Sequence, residues 1–213
     1  MLNTKQYVLL GPQGSGKGTQ AKILASKLDM PHIATGDIFR AAVESNIELG
    51  GKVKSLIDSG ILVPDEITNQ VVAERLKQND ATNGFVLDGF PRNLVQAEFL
   101  FNLCPNVRVI YLKLLDEEAV KRIGGRLTCT KCGTIYHKDF NPPPQVGLCV
   151  CGGSLEVRKD DTPEAIRARL NDYHKLTEPL LEFYRGNGLL VEIDGQLSIS
   201  EVTANINEIL GLV

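Results

Sequence analysis

Residues Gly11-Pro12-Gln13-Gly14-Ser15-Gly16-Lys17-Gly18-Thr19 stand between a short apolar run, Tyr7-Val8-Leu9-Leu10, and a helical pattern from Lys17 to Leu28. They fit G-x4-G-K, a phosphate-cradling loop whose required context is a strand before and a helix after. The glycines let backbone N–H groups turn inward, the helix N-terminus adds positive potential, and the lysine reaches β- and γ-phosphates. A glycine-rich turn with a chance lysine is the bland alternative, and the placement argues against it. One departure matters. The general motif puts Ser or Thr directly after the lysine to ligate Mg2+, whereas here Gly18 intervenes before Thr19. A side chain therefore does not hold Mg2+ at that point.

Further apolar runs follow at His32-Ile33-Ala34, Phe85-Val86-Leu87-Asp88, Val107 to Leu112 and Leu189 to Ile193, with helical patterns between them. Strands alternating with helices predict a parallel sheet covered on both faces. Continuous rather than alternating apolar runs agree with strands buried on both sides. Two stretches interrupt the rhythm. From Thr35 to about Leu76 the patterns are helical only. Pro64-Asp65-Glu66 reads as a helix start, with Ile67, Val71 and Leu76 on one face. From Thr128 to Asp161 Gly, Pro and Cys crowd together, and a structureless loop of that length is suspect unless functional. Thr162-Pro163-Glu164 then reads as N-cap, first-turn proline and first-turn acid of a long helix.

Composition excludes several classes. The 213 residues are 43% hydrophobic and 23% charged, ordinary globular values that rule out a disordered chain. A chain this long needs neither disulfide nor metal to fold. No apolar run approaches the roughly 18 residues of a membrane span, and Met1 to Lys5 lacks a signal pattern. The expectation is a cytoplasmic protein with no membrane partner. A net charge of −3 makes it a poor general binder of nucleic acid. Of five cysteines, four fall between 129 and 151, while Cys104 stands alone as a small buried apolar residue.

Further motifs follow the phosphate loop in order. They are Thr35-Gly36-Asp37-Ile38-Phe39-Arg40, Asp88-Gly89-Phe90-Pro91-Arg92 with Gln96, Arg122-Ile123-Gly124-Gly125-Arg126, Arg158-Lys159-Asp160-Asp161, and Arg167-Ala168-Arg169. With the narrower loop form G-x-x-G-x-G-K-G-T, they make the chain resemble the adenylate kinases, nucleoside monophosphate kinases of the long-lid bacterial type. The resemblance covers essentially the whole chain. It implies an α/β P-loop NTPase fold: a five-stranded parallel sheet flanked by helices, with a helical insert and a small lid lobe. The implied core is 1–33, 64–125 and 164–213, the AMP-binding domain 34–63 and the lid 126–163. The implied reaction is reversible transfer from MgATP to AMP giving two ADP, in the service of adenine nucleotide homeostasis, by a monomer.

The resemblance also implies residue roles. On the ATP side stand Gly14, Ser15, Gly16, Lys17, Gly18 and Thr19, with Lys17 on the β- and γ-phosphates. Arg122 and Arg126 join them, Ile135 and Tyr136 lie near base or ribose, and Leu197 offers backbone to the adenine. Arg126, Arg158 and Arg169 converge on the transferred group when the lid closes, the latter two also serving AMP. Arg40 and Arg92 clamp the AMP phosphate. Thr35 and Gln96 meet its adenine, in a pocket completed by Ile61, Leu62, Val63, Gly89, Phe90 and Pro91. Such a set suits phosphoryl transfer, which asks for positioning and charge neutralisation more than covalent chemistry, and planar guanidinium groups suit bidentate phosphate contacts. Asp88, at the C-terminal end of a core strand, reads as ordering Mg2+-bound waters or as a turn cap. Asp160 and Asp161 latch the lid or form a solvated pair. Arg75, Arg108, Arg167 and Arg185 read as solvated, and His32, His137 and His174 as structural.

Cys129-Thr130-Lys131-Cys132-Gly133 is a metal knuckle, and Cys149-Val150-Cys151-Gly152-Gly153 follows sixteen residues later. Two pairs at this separation resemble a structural Zn2+ site. Some adenylate kinases of this type carry C-x2-C in both pairs, but here the second is C-x-C, which leaves open a bent knuckle, a substitute ligand such as His137 or an Asp, or metal-free thiols or a disulfide. Three rival functions are a kinase for UMP or CMP, a nucleotide sensor without turnover, and a zinc-ribbon nucleic-acid binder. Thr35, Gln96 and the long lid speak against the first, the arginine set against the second and the acidic balance against the third.

Overall fold

The computed structural model describes residues 5–44, 48–59, 61–158 and 160–212. The Met1–Thr4 lead, residues 45–47 and 60 of the helical insert, and Lys159 of the Arg158–Asp161 motif lie outside them. The chain opens with β1 (Gln6–Leu10), the phosphate loop and α1 (Lys17–Leu28), then β2 (His32–Ala34), α2 (Thr35–Glu44), α3 (Glu48–Asp58) and α4 (Asp65–Leu76). It continues through β3 (Phe85–Asp88), α5 (Leu94–Leu103), β4 (Arg108–Lys113) and α6 (Asp116–Gly124). Then come β5 (Arg126–Cys129), β6 (Ile135–His137) and β7 (Leu155–Glu156), followed by α7 (Pro163–Asp172), α8 (Leu180–Gly186), β8 (Leu190–Asp194) and α9 (Ile199–Leu210).

The first, second, third, fourth and last strands form a parallel sheet in the order β2-β3-β1-β4-β8. Side chains alternate across it, so one strand feeds two cores. Val8 and Leu10 of β1 join Leu87, Val109, Leu100 and Tyr184 on one face. Tyr7 and Leu9 join Val86, Ile110, Leu24 and Val202 on the other. Burial on both faces is why these strands read as unbroken apolar runs. The chain leaves β1 toward β3 and β2 on one side, and β4 and β8 lie on the other. The phosphate loop thus sits at the switch point, where open α/β sheets bind ligands beyond the carboxyl ends of their strands.

Local signals place the helix ends. Thr162 caps α7 by accepting from the Ala165 N–H, with Pro163 in the first turn. Asn93 caps α5, and Ser198 with Glu201 forms a reciprocal capping box on α9. The long helix expected after Thr162 is interrupted: α7 runs into a π-helical turn, Tyr173–Thr177, before α8. Tyr173 is buried there and donates to the Tyr111 hydroxyl at 3.0 Å, which draws the backbone toward the sheet.

Among the described residues, three small apolar clusters stand apart from the main sheet. Ala119 and Ile123 of α6 pack on Ile166 and Leu170 of α7. Phe39, Val53 and Val63 hold the helical insert together. Cys129, Tyr136 and Cys149 centre the third, on an antiparallel sheet ordered β6-β5-β7. The single apolar face expected for α4 is divided: Ile67 and Val71 pack on the Phe39 cluster and Leu76 on the sheet, so α4 joins insert to core. Two arginines expected to be solvated are paired instead. Arg75 grips Asp80 with two bonds of 2.8 and 2.7 Å, and Arg185 holds Glu192 at 2.6 Å. Arg108 keeps its Nε buried beside the sheet. Cys104 is buried among apolar side chains, as expected.

Candidate active site

Gly14 and Gly16 sit at φ +80° and +90°, conformations that side chains disfavour. A Cβ on Gly14 would also lie 2.9 Å from the Ala119 carbonyl oxygen. The loop therefore curls around Lys17, whose Nζ donates to the Gly11 and Pro12 carbonyls, both at 2.7 Å. Gly18, where the general motif has a hydroxyl residue, passes close to two neighbours. A Cβ there would stand 3.2 Å from Asp88 Oδ2 and 3.6 Å from the Ile135 side chain of β6. The glycine lets β6 approach the loop, and Lys22 of α1 donates to the Gly133 carbonyl, just before β6, at 2.8 Å.

Cations crowd beyond the loop. Lys17 is brought down to about 8, first by burial and then by Arg92, Arg126 and Arg169, against the pull of Asp88. Arg158 is brought down to about 10, by burial and then by Arg126 and Arg40. Burial lowers Arg92 as well. Such a concentration of positive charge calls for a polyanion. Acidic residues partly hold it in place. Arg126 Nε donates to Asp161 Oδ2 at 2.9 Å, while Arg169 donates to Asp160 Oδ2 at 2.8 Å and to Asp161 Oδ1 at 3.0 Å. The Asp161 side chain is 0% exposed. Burial pushes its carboxyl up, and the bonds and charges of Arg126 and Arg169 outweigh that and hold it below the usual range. Asp160 and Asp161 are thus paired with arginines and are not the solvated pair of the second sequence reading. Asp88 is also held low: burial opposes ionisation, and His32, Lys17 and Arg92 overcome it.

Two arms of the cleft extend from this centre. In one, Thr35 donates to the Gly89 carbonyl at 3.0 Å, Arg92 Nε donates to the same oxygen at 2.8 Å, and Arg40 pairs with Asp37. Gln96 is buried at the end of this arm. In the other, Arg122 donates to the carbonyls of Gly195 at 2.7 Å and Gln196 at 3.2 Å, next to Leu197. The cleft measures about 1170 Å³. Single-ligand sites usually occupy about 300–1,000 Å³, so there is room for more than one ligand. Every nucleotide-site residue anticipated from the sequence lines it except Phe90, whose side chain is fully buried in the sheet core.

Sequence reasoning missed three contributors. Phe140 presents its ring to the Arg122 guanidinium at 5.8 Å and to Lys121 Nζ at 5.1 Å, at the mouth of the second arm. Thr177 of the π-helical turn donates to the Arg92 carbonyl at 2.7 Å. Gln20 of α1 donates to the Ile199 carbonyl at 2.9 Å and so fixes the start of α9 after the Leu197 loop. A lone aromatic beside a proline tract carried the first signal; the other two carried none.

Beside the β6-β5-β7 sheet, the sulfurs of Cys129, Cys132, Cys149 and Cys151 all lie within 4.8 Å of one another, and close pairs stand 3.3 to 3.6 Å apart. They are free of disulfides. The C-x-C pair is accommodated by a bent knuckle. Gly152, at φ +79°, donates to the Cys149 carbonyl at 2.8 Å, and Cys149 N–H donates to Gly153 O at 2.9 Å. A Cβ on Gly153 would stand 2.7 Å from the Cys129 sulfur. His137 is not in this cluster, and its Nδ1 accepts from the N–H groups of Asp139 and Phe140, at 2.9 and 3.1 Å. The four sulfurs could hold one metal ion.

A P-loop at a sheet switch point, facing converging arginines across a two-armed cleft, defines a phosphotransferase of the P-loop class. Comparison with known proteins carries this further. The adenylate kinase family profile matches residues 9–189. The adenylate kinase of Lachnoclostridium phytofermentans is 48% identical over 214 residues, covering 98% of this chain and 99% of its own. Those of Clostridium botulinum (strain Langeland) and Clostridium beijerinckii are 46% and 47% identical, each covering 97% of this chain and 98% of its own. The chain belongs to the adenylate kinase family. It is an ATP:AMP phosphotransferase, with ATP, AMP and ADP as substrates and Mg2+ accompanying ATP. Among the described residues no helix is long and apolar enough to cross a membrane.

Proposed function

We propose that the two arms divide the substrates, with ATP on the Arg122 side and AMP on the Gln96 side, and that the γ-phosphoryl group passes in line between them. The convergence of Lys17, Arg92, Arg126, Arg158 and Arg169 on the cleft between the arms carries this reading. Lys17 and the loop N–H groups of Gly14 to Thr19 hold the ATP β- and γ-phosphates. Arg126, Arg158 and Arg169 neutralise charge on the transferred group, and Arg40 and Arg92 clamp the AMP phosphate. Carboxylate pairing keeps Arg126 and Arg169 oriented before substrate arrives, so little reorganisation remains. Arg122 and the Phe140 face offer stacking surfaces for the ATP base, with Ile135, Tyr136 and the Leu197 backbone beside them. Thr35, Gln96 and the 61–63 backbone receive the AMP adenine. Asp88, held ionised beside the phosphate loop, would be the carboxylate that orders the waters of the Mg2+ accompanying ATP, an ion that would spread phosphate charge.

Residues 34–63 act as the AMP-binding domain and 126–163 as a lid that excludes water when closed. The lid sulfurs fit a structural Zn2+, since tetrahedral thiolate ligation at about 2.3 Å puts sulfurs about 3.8 Å apart. Free cysteines suit a reducing compartment, the cytoplasm. Arg92→Ala tests the division of arms: the KM for AMP rises about a hundredfold while that for ATP changes little. Equal losses for both would overturn it. An acceptor panel of AMP, GMP, CMP and UMP tests the base pocket, with AMP expected to dominate.

A further inference from the structure

The Gln96 amide lies between two neighbours that each tolerate one orientation. Its Oε1 accepts from the Arg92 backbone N–H at 2.8 Å, and its Nε2 donates to Asp65 Oδ1 at 2.7 Å. A backbone N–H only donates and a carboxylate only accepts, so the chemistry dictates which end of the amide is oxygen. Asn93 strengthens the arrangement. Its Nδ2 donates to the same Asp65 oxygen at 2.8 Å, while its Oδ1 caps α5 at the Gln96 N–H, 3.0 Å away. Gln96 is 2% exposed, so an amide end without a partner is costly there. Asp65 itself is absent from the residues lining the cleft. It stands at the start of α4, where it meets the Nε2 end of the amide.

After these two bonds Gln96 keeps one N–H and one acceptor site for a ligand. An oxygen that takes an exocyclic amine, beside an N–H that gives to a ring nitrogen, matches adenine. A 6-oxo purine such as hypoxanthine shows the reverse pattern, a carbonyl acceptor and a ring N–H, and matches only a flipped amide. We propose that Asp65 is a positioning residue for acceptor choice: by holding Gln96 one way round, it makes the pocket accept a 6-amino purine and reject a 6-oxo purine. This rests on Gln96 reading the acceptor base.

The test measures kcat/KM for AMP and for IMP, with KM for ATP and melting temperature, in the full-length enzyme and three variants. Asp65→Asn removes the charge but keeps an acceptor oxygen, and its AMP kinetics stay within about threefold of the parent. Asp65→Leu removes the acceptor. The KM for AMP then rises about tenfold and the AMP-over-IMP preference falls about tenfold, with KM for ATP unchanged. Gln96→Leu separates the two ideas. If it alone collapses the preference and Asp65→Leu does not, Asp65 has no positioning role. If Gln96→Leu leaves AMP kinetics intact, the reading of Gln96 fails and the proposal with it. Equal damage to AMP and ATP kinetics by Asp65→Leu would make Asp65 merely structural and overturn the proposal.

Discussion

The phosphate loop and the cysteine knuckles solve one problem with opposite signs. Each bends backbone at left-handed glycines to aim ligands at a point. At Gly14 and Gly16 the groups aimed inward are N–H donors, suited to an anion; at Gly133 and Gly152 they are sulfurs, suited to a cation. They differ in what supports them. The loop joins β1 to α1, both buried in the main cores, where Leu9, Leu10 and Leu24 are 0 to 3% exposed. Each such side chain contributes about 1.5–3 kcal/mol. The knuckles rest on a three-stranded sheet whose cluster is centred on Cys129, Tyr136 and Cys149. A core that small does not hold a fold by burial alone. The loop should therefore keep its shape without its ligand, and the knuckles should not.

The largest expected effect is at the loop. Lys17→Met removes its buried cation and should lower kcat about 10²–10³-fold, read in a coupled assay, while the melting temperature holds. A fall in both would mean that the lysine props the loop open rather than serving phosphate. Next, chelation of metal from the purified enzyme should reduce amide-exchange protection in residues 126–158 by about a hundredfold. Protection in β1 and α1 should persist. Loss in both regions together would erase the contrast.

A pH titration gives a smaller effect. Lys17 is depressed to about 8 in the free enzyme, so its charge is present below that pH and lost as pH rises through it. Because phosphate binds the charged form, ATP affinity should fall about tenfold between pH 7 and 9, and Lys17→Arg should flatten the profile. The smallest effect tests packing at the knuckle. A methyl group in Gly153→Ala would press on the Cys129 sulfur and on Lys131 Cβ, both 2.7 Å from the added carbon. Metal retention against a competing chelator should weaken about fivefold, with AMP phosphorylation at saturating metal nearly unchanged.

Much of the site was legible because its signals are local. A strand, a glycine turn and a lysine at fixed spacing determine a phosphate loop within nine residues. Thr162-Pro163 marked the start of α7 because a cap and a first-turn proline act on adjacent backbone. The strands were legible because burial on two faces leaves no polar alternation. By contrast, the interruption of the last long helix was not readable from Tyr173, whose hydroxyl finds Tyr111 across 62 residues. Nor did the spacing of Asp160 and Asp161 exclude a solvated pair; Arg126, 35 residues from Asp161, excludes it.

The chain by itself therefore determined the parallel α/β core, the phosphate loop and the identity of the four clustered sulfurs, because each follows from neighbours a few bonds apart. Tertiary structure decided how the C-x-C pair bends to meet the first knuckle, which carboxylates hold which arginines, and which way Gln96 faces. Those outcomes depend on groups brought together from distant segments, where distance and hydrogen-bond direction, rather than spacing along the chain, select the partner.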